Sequence, residues 1–160
     1  MKKMLIAFAV LLLAAPFLHA DTATVIEVVN VGKIRVEYNG LEEIVRLIGI
    51  VIPANNINPN DGAVWTQDKS LDNIRELVSP GTTITLEFAM EQRNLQNELL
   101  AYVYIPDNTM INNTVMLNDL IIYRGYADTA AEPPNVKYAS EFLRSSRDAM
   151  GHQRGLWMDK

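Results

Sequence analysis

The sequence predicts a mainly β, α+β fold: a small closed barrel of five strands carrying three helices. Short runs rich in β-branched residues recur between turn residues, one helical stretch interrupts them after the third run, and two more helical stretches end the chain. With 160 residues, 49% of them apolar, the chain can bury one core of its own. No internal repeat, low-complexity tract or linker divides it.

Residues 22–31 (TATVIEVVNV) and 33–38 (KIRVEY) read as the first two strands, with Gly32 as a tight turn or bulge between them. Ile34, Val36 and Tyr38 alternate with Lys33, Arg35 and Glu37, as a half-exposed strand requires. Asn39-Gly40 is a hairpin signal because both residues tolerate positive φ, and residues 42–50 (EEIVRLIGI) follow as the third strand. After Pro53 the stretch ANNINPND reads as loop, in which Asn60 or Asp61 can cap a helix. Leu71, Ile74, Leu77 and Val78 fall at helical spacing, and Pro80-Gly81 ends that helix. Residues 82–88 and 99–105 are strands four and five, joined by a polar connection over 89–98. Residues 106–115 read as a turn with a short extra hairpin and 116–125 as a brief helix closed by Gly125. A loop (TAAEPPN) then leads to an amphipathic helix over 136–151, with Tyr138, Phe142, Leu143 and Ala149 on its apolar side.

The first twenty residues have a different character. Lys2 and Lys3 precede an apolar run from Met4, then come Pro16 and the small residue Ala20, the layout of a bacterial signal peptide cleaved before Asp21. The run is shorter than the roughly 20 residues a membrane-spanning helix needs. The expected organisation is therefore a signal peptide over 1–20 and a single domain over 21–160, periplasmic or secreted, with no stable membrane insertion after cleavage. No cysteine is present, so such an exported domain must be held by its core alone.

Charge narrows the function. Residues 1–20 carry two of the 14 basic residues and none of the 19 acidic ones, leaving 12 against 19 and a net −7. Proteins that grip nucleic acid gain most non-specific affinity from Lys and Arg on phosphates. The balance here argues against that role.

Four pieces of sequence, in order, carry a more specific signal: YNGLEEIVRLIGIVIP, LLAYVYI, MLNDLIIYRGYA and RGLW. Together they resemble the staphylococcal nuclease-like (thermonuclease) family over roughly residues 22 to 157. The resemblance implies a five-stranded OB-fold barrel with three helices. It also implies a nuclease site in which carboxylates hold calcium, a glutamate assists the attacking water and two arginines neutralise charge on phosphorus. The residue types suit that chemistry, since calcium takes hard oxygen ligands, arginine's fork matches phosphate, and water needs a base within reach.

The resemblance also shows what is missing. Where the family carries a metal aspartate in an Asp-Gly-Asp-Thr turn, residues 30–33 read Asn-Val-Gly-Lys, placing Gly32 at the ligand position. Where the family reads Val-Arg-Leu-x-Gly-Ile-Asp-x-Pro-Glu, this chain keeps Arg46 but has Val51 for the metal aspartate and Ala54 for the glutamate. Glu98 stands at the second arginine, Gln96 replaces a tyrosine beside the nucleotide, and Ala130 and Ala131 stand near further stacking positions. No catalytic residue beyond Arg46 is retained, no metal ligand or cofactor site is expected, and calcium is expected to be lost.

Other polar residues have plain readings. Glu42 and Glu43 suit a solvated edge, Asp61 a helix cap, and His152 a dipole partner at a helix C-terminus; Trp65 and Trp157 suit core or edge positions. Glu91 and Glu98 lack a second carboxylate or histidine to form an acid–base pair. With His19 in the leader, the rest of the chain has one histidine and no cysteine, too few for zinc or nucleophile–histidine catalysis.

The expected function is a catalytically inactive binding or interaction module of the cell envelope, its partner an envelope protein or other ligand, with weak or no nucleic-acid binding. The alternative is a residual or altered phosphodiesterase acting on nucleic acid. Convergent geometry of the two former arginine positions further predicts an ion pair between Arg46 and Glu98 that closes the pocket.

Overall fold

The computed structural model describes residues 21–53 and 67–158. Its strands are β1 (Asp21–Asn30), β2 (Lys33–Tyr38), β3 (Leu41–Leu47), β4 (Ile50–Val51), β5 (Thr83–Arg93), β6 (Leu99–Pro106), β7 (Thr114–Met116) and β8 (Asp128–Thr129). The helices are α1 (Gln67–Leu77), α2 (Leu117–Tyr123) and α3 (Ala139–Gly151), followed by a 3₁₀ turn over Gly155–Trp157. The main sheet runs β3-β2-β1-β5-β6-β7, and an additional β3–β6 pairing closes five of its strands into a barrel. The barrel and its three helices have the predicted architecture.

The turns set the registers. Asn39 and Gly40 have φ of 52° and 77°, the conformation a two-residue hairpin demands, and β2 pairs with β3 without slippage from Tyr38↔Leu41 to Lys33↔Arg46. At the β1–β2 turn, Asn30 Oδ1 accepts the Gly32 N–H at 2.9 Å. Alternation then buries Ile34 and Val36 of β2 with Val45 and Leu47 of β3, facing Val25, Leu86, Ala101 and Val103 in one core. β6 is buried on both faces. Its outward Tyr102 meets Tyr138 edge-on at 4.7 Å and lies 6.1 Å from Phe142, so α3 covers that side.

The third strand ends earlier than the sequence suggested. Gly49 takes φ +78°, and a Cβ there would lie 2.6 Å from the Phe142 ring, so the chain turns at Ile48-Gly49 and resumes as β4. β4 pairs with β8, a two-residue strand of Asp128 and Thr129 at the start of the stretch read as loop. β5, by contrast, extends past Phe88 to Arg93, because Arg93↔Leu99 and backbone bonds to Asn135 continue its pairing after the apolar pattern ends. α3 starts at Ala139 rather than 136. Leu143 is exposed, and Ser146 is the buried neighbour instead, donating to Asp128 Oδ1 at 2.7 Å. Ile74 and Val78 are fully buried as expected, with Leu71 and Leu77 packed against the core. The cap residues Asn60 and Asp61, and Trp65, lie outside the described residues, as do residues 1–20, expected to be a signal peptide. Among the described residues no helix is long and apolar enough to cross a membrane.

One side chain joins three of these elements. Asn118 of α2 is fully buried; its Nδ2 donates to Ile48 O (2.9 Å) and Ala101 O (3.3 Å), and its Oδ1 accepts the Val103 N–H (2.9 Å). Asn118→Leu keeps the branched shape and heavy-atom count but strands those buried groups, and should lower unfolding free energy by about 3 kcal/mol in urea denaturation. A loss under about 1 kcal/mol would mean the groups find other partners.

Candidate functional site

The β2–β3 hairpin and the start of β6 assemble the candidate site. Because Val45 and Leu47 point inward, Arg46 points outward, and the hairpin register sets Lys33 directly across from it. The parallel β3–β6 ladder places Leu100 on Arg46's other side, with Glu98 just before β6. Gly32 is next to Lys33; its carbonyl accepts the Leu47 N–H at 2.9 Å, and a Cβ on it would approach Ile50 Cγ2 only to 3.9 Å. Val51 follows Ile50 and opposes Asp128 of β8. Gly32, Arg46, Val51 and Glu98 thus share one corner of the barrel. Ala54 lies outside the described residues.

The predicted Arg46–Glu98 pair is not what forms. Arg46 makes a two-pronged contact with Glu132, Nη1 to Oε2 at 2.6 Å and Nη2 to Oε1 at 3.0 Å. Glu98 instead takes the Lys33 ammonium at 2.6 Å and the Asn94 side-chain amide at 2.8 Å. The physical reason is geometric. Arginine's fork is best met by both oxygens of one carboxylate, which Glu132 supplies. Glu98 is held by the 94–98 turn, where Asn94 Oδ1 accepts the N–H groups of Gln96 and Glu98, and its oxygens face Asn94 and Lys33. Arg46 still acts on Glu98 through space, without contact.

The result is a cluster of two cations and two anions. The Lys33 hydrogen bond, helped by Asn94 and the nearby Arg46 charge, holds the Glu98 carboxyl below its ordinary value despite desolvation. The Glu132 hydrogen bond pushes the Arg46 guanidinium further up, against the cost of burial. A second pair was also unforeseen. Glu43, read as a solvated edge, receives both Arg93 nitrogens at 2.7 and 3.0 Å, and the Arg93 hydrogen bond lowers its carboxyl. Glu42 and Glu91 are exposed, and His152 caps the end of α3 with Nδ1 2.9 Å from Asp148 O.

The donor set does not fit calcium. Gly32 brings no side chain and Val51 only methyl groups, while Glu98 and Glu132 are occupied by Lys33 and Arg46. Among the described residues no group of three or more His, Cys, Asp or Glu is placed to hold a metal. Gln96 is exposed on its turn, and Ala130 and Ala131 present methyl groups where stacking would need rings. Lys33 and Glu132 were the residues missed by sequence reasoning. Lys33 was within its reach, because a two-residue turn at Asn39-Gly40 forces Lys33 opposite Arg46.

Two measurements follow from this geometry. Arg46 and Glu132 are 30% and 27% exposed, so a double-mutant cycle with Arg46→Met and Glu132→Gln should give a coupling of about 1–2 kcal/mol, and the cycle with Glu98→Gln a smaller one. A larger Arg46–Glu98 coupling would contradict the assignment. Because Glu98 is more acidic folded than unfolded, its stabilisation is complete above the unfolded carboxyl pKa of about 4.3. It fades as pH falls through the lower folded value. Thermal melts of Glu98→Gln should therefore lose less stability below that pH than the parent; identical pH slopes would refute the linkage.

A model of the staphylococcal nuclease homologue family matches residues 44–159, well over half of the chain, from the middle of β3 to the residue after the last described one. No curated protein matches it. The barrel order, the three helices and this match together assign the chain to the staphylococcal nuclease homologue family.

Proposed function

We propose that this chain is an exported, non-catalytic member of its family, acting as a binding or interaction module of the cell envelope. The observation that carries the reading is the Arg46–Glu132 contact: the one arginine that the resemblance assigns to phosphate is held by the protein's own carboxylate, two-pronged, as a phosphate would hold it. Gly32 and Val51 supply no side-chain oxygen, and at the position the resemblance gives to a second arginine stands Glu98, whose carboxylate is taken by Lys33 and Asn94. A phosphodiester entering here would meet a pocket already neutralised by Lys33, Arg46, Glu98 and Glu132, with a net −7 outside the leader behind it. Export rests on the leader-like residues 1–20, and the envelope role on export combined with the lost chemistry.

A nuclease assay on DNA and RNA with and without calcium tests this. Neither substrate should be cleaved above a blank, millimolar calcium should leave the melting temperature unchanged, and binding of generic DNA should collapse as salt is raised. Calcium-dependent cleavage abolished by Arg46→Met would instead establish a residual phosphodiesterase.

A further inference from the structure

The end of α2 meets the 3₁₀ turn over Gly155–Trp157 backbone to backbone. Leu156 N–H donates to Gly125 O at 2.8 Å, and Gly125 and Gly155 have φ of 71° and 51°. A Cβ on Gly125 would lie 2.1 Å from Arg154 O, and one on Gly155 2.2 Å from Gly125 O, so only glycine allows this approach. Beside the junction opens a pocket of about 460 Å³, lined by Leu120, Tyr123, Arg124, Tyr126, Arg154 and Gly155.

The two arginines of the pocket are in different states. Arg154 is held in place: its Nη1 donates to Tyr123 O at 2.8 Å and lies 2.8 Å from Asp148 Oδ2, and its Cζ is 4.1 Å from the centre of the Tyr123 ring. Arg124 is exposed, and its side chain has no hydrogen bond or ion pair among the described residues. An exposed arginine is ordinarily just solvated. Arg124 differs in standing on the wall of a formed pocket whose other walls are two tyrosines, a leucine and an ion-paired arginine.

This lining selects a ligand. Tyr123, 43% exposed, and Leu120 favour a flat apolar group, and a guanidinium such as that of Arg154 stacks on aromatic rings. Arg154 is neutralised by Asp148, so the unmatched charge is that of Arg124, whose fork suits the paired oxygens of a carboxylate. The net −7 outside residues 1–20 does not cancel this attraction, because at about 0.1 M salt charges beyond roughly 10 Å are largely screened.

We propose that the pocket between α2 and the 3₁₀ turn binds a small aromatic carboxylate, its ring against Tyr123 and Arg154 and its carboxylate on Arg124. The site goes beyond the proposed function: it shares no residue with the Arg46 corner and does not depend on export.

The test is a titration of isotope-labelled protein, recovered from cells making the full chain, with naphthoate, followed by backbone amide shifts. Shifts should move at Tyr123, Gly125 and Gly155. Naphthylmethanol, which keeps the ring without the charge, and cyclohexanecarboxylate, which keeps the charge without the aromatic ring, should each bind at least about tenfold more weakly. Arg124→Gln, a change at an exposed position, should weaken naphthoate about tenfold and leave naphthylmethanol unaltered, with Arg124→Lys recovering only part of the loss. Tyr123→Leu should weaken both ring compounds; if it does not fold, Arg124→Gln decides the matter. Shifts elsewhere or nowhere, equal affinity for the three compounds, or naphthoate binding that ignores Arg124→Gln overturns the proposal.

Discussion

Everything in this molecule depends on a parallel seam three residues long. The β3–β6 pairs Val45↔Leu99, Arg46↔Leu100 and Leu47↔Ala101 turn an open sheet into a barrel. Such a seam cannot be made by a hairpin, so α1 and β5 intervene between its two strands. Three pairs are few, and the contact is prolonged by Ile48 N–H to Ala101 O at 3.2 Å and by the buried amide of Asn118. Immediately beyond, Gly49 turns the chain aside and leaves room for Phe142, so the docking of α3 also depends on where the seam stops. Water kept out of this junction makes each of those hydrogen bonds costly to leave unmade.

The same seam determines where charge goes. A residue between two inward-facing ones must face out, so Arg46 stands on the barrel surface between Lys33 and Leu100. Two adjacent cations repel unless anions lie close. Here Glu98 and Glu132 do so from a turn and a loop, leaving a neutral cluster about one-third exposed or less at each side chain. Packing does not force the absence of oxygen ligands. At Gly32 the nearest atoms to an added Cβ are 3.9 Å away and the backbone φ is not in the left-handed region, so a Cβ is accommodated there. The backbone at Gly32 therefore does not itself require glycine, and the lack of a side chain there is a matter of residue choice. That separation of scaffold from chemistry is why membership of the family states the architecture while the function is proposed from side chains.

A second carboxylate network stabilises the outer face of β6 on its β5 side. Glu87 accepts hydrogen bonds from Lys137, Tyr104 and Tyr138; burial pushes its carboxyl up, yet these donors together bring it below its ordinary value. Burial and the same carboxylate push the Tyr104 hydroxyl far up, so it remains a donor throughout the physiological range. The network joins β5, β6 and the segment leading into α3, beside a cleft of about 510 Å³ lined by Phe88, Met90, Pro134 and Val136.

Local rules were enough to determine much of this. β-branched alternation specified which faces of β2 and β3 turn inward, and Asn39-Gly40 specified their register, because a two-residue turn admits one pairing. The absence of side-chain oxygens at Gly32 and Val51 was equally readable, since side-chain chemistry is written in the residue itself. Partner choice was not. Arg46 met Glu132 from 86 positions away, and Arg93 met Glu43 across 50, because closing the barrel decides which distant loop reaches which strand. The strand β8, the extension of β5 through the Asn135 amide, and the burial of Ser146 in place of Leu143 have the same origin. Each is settled by long-range packing, which periodicity along the chain does not encode.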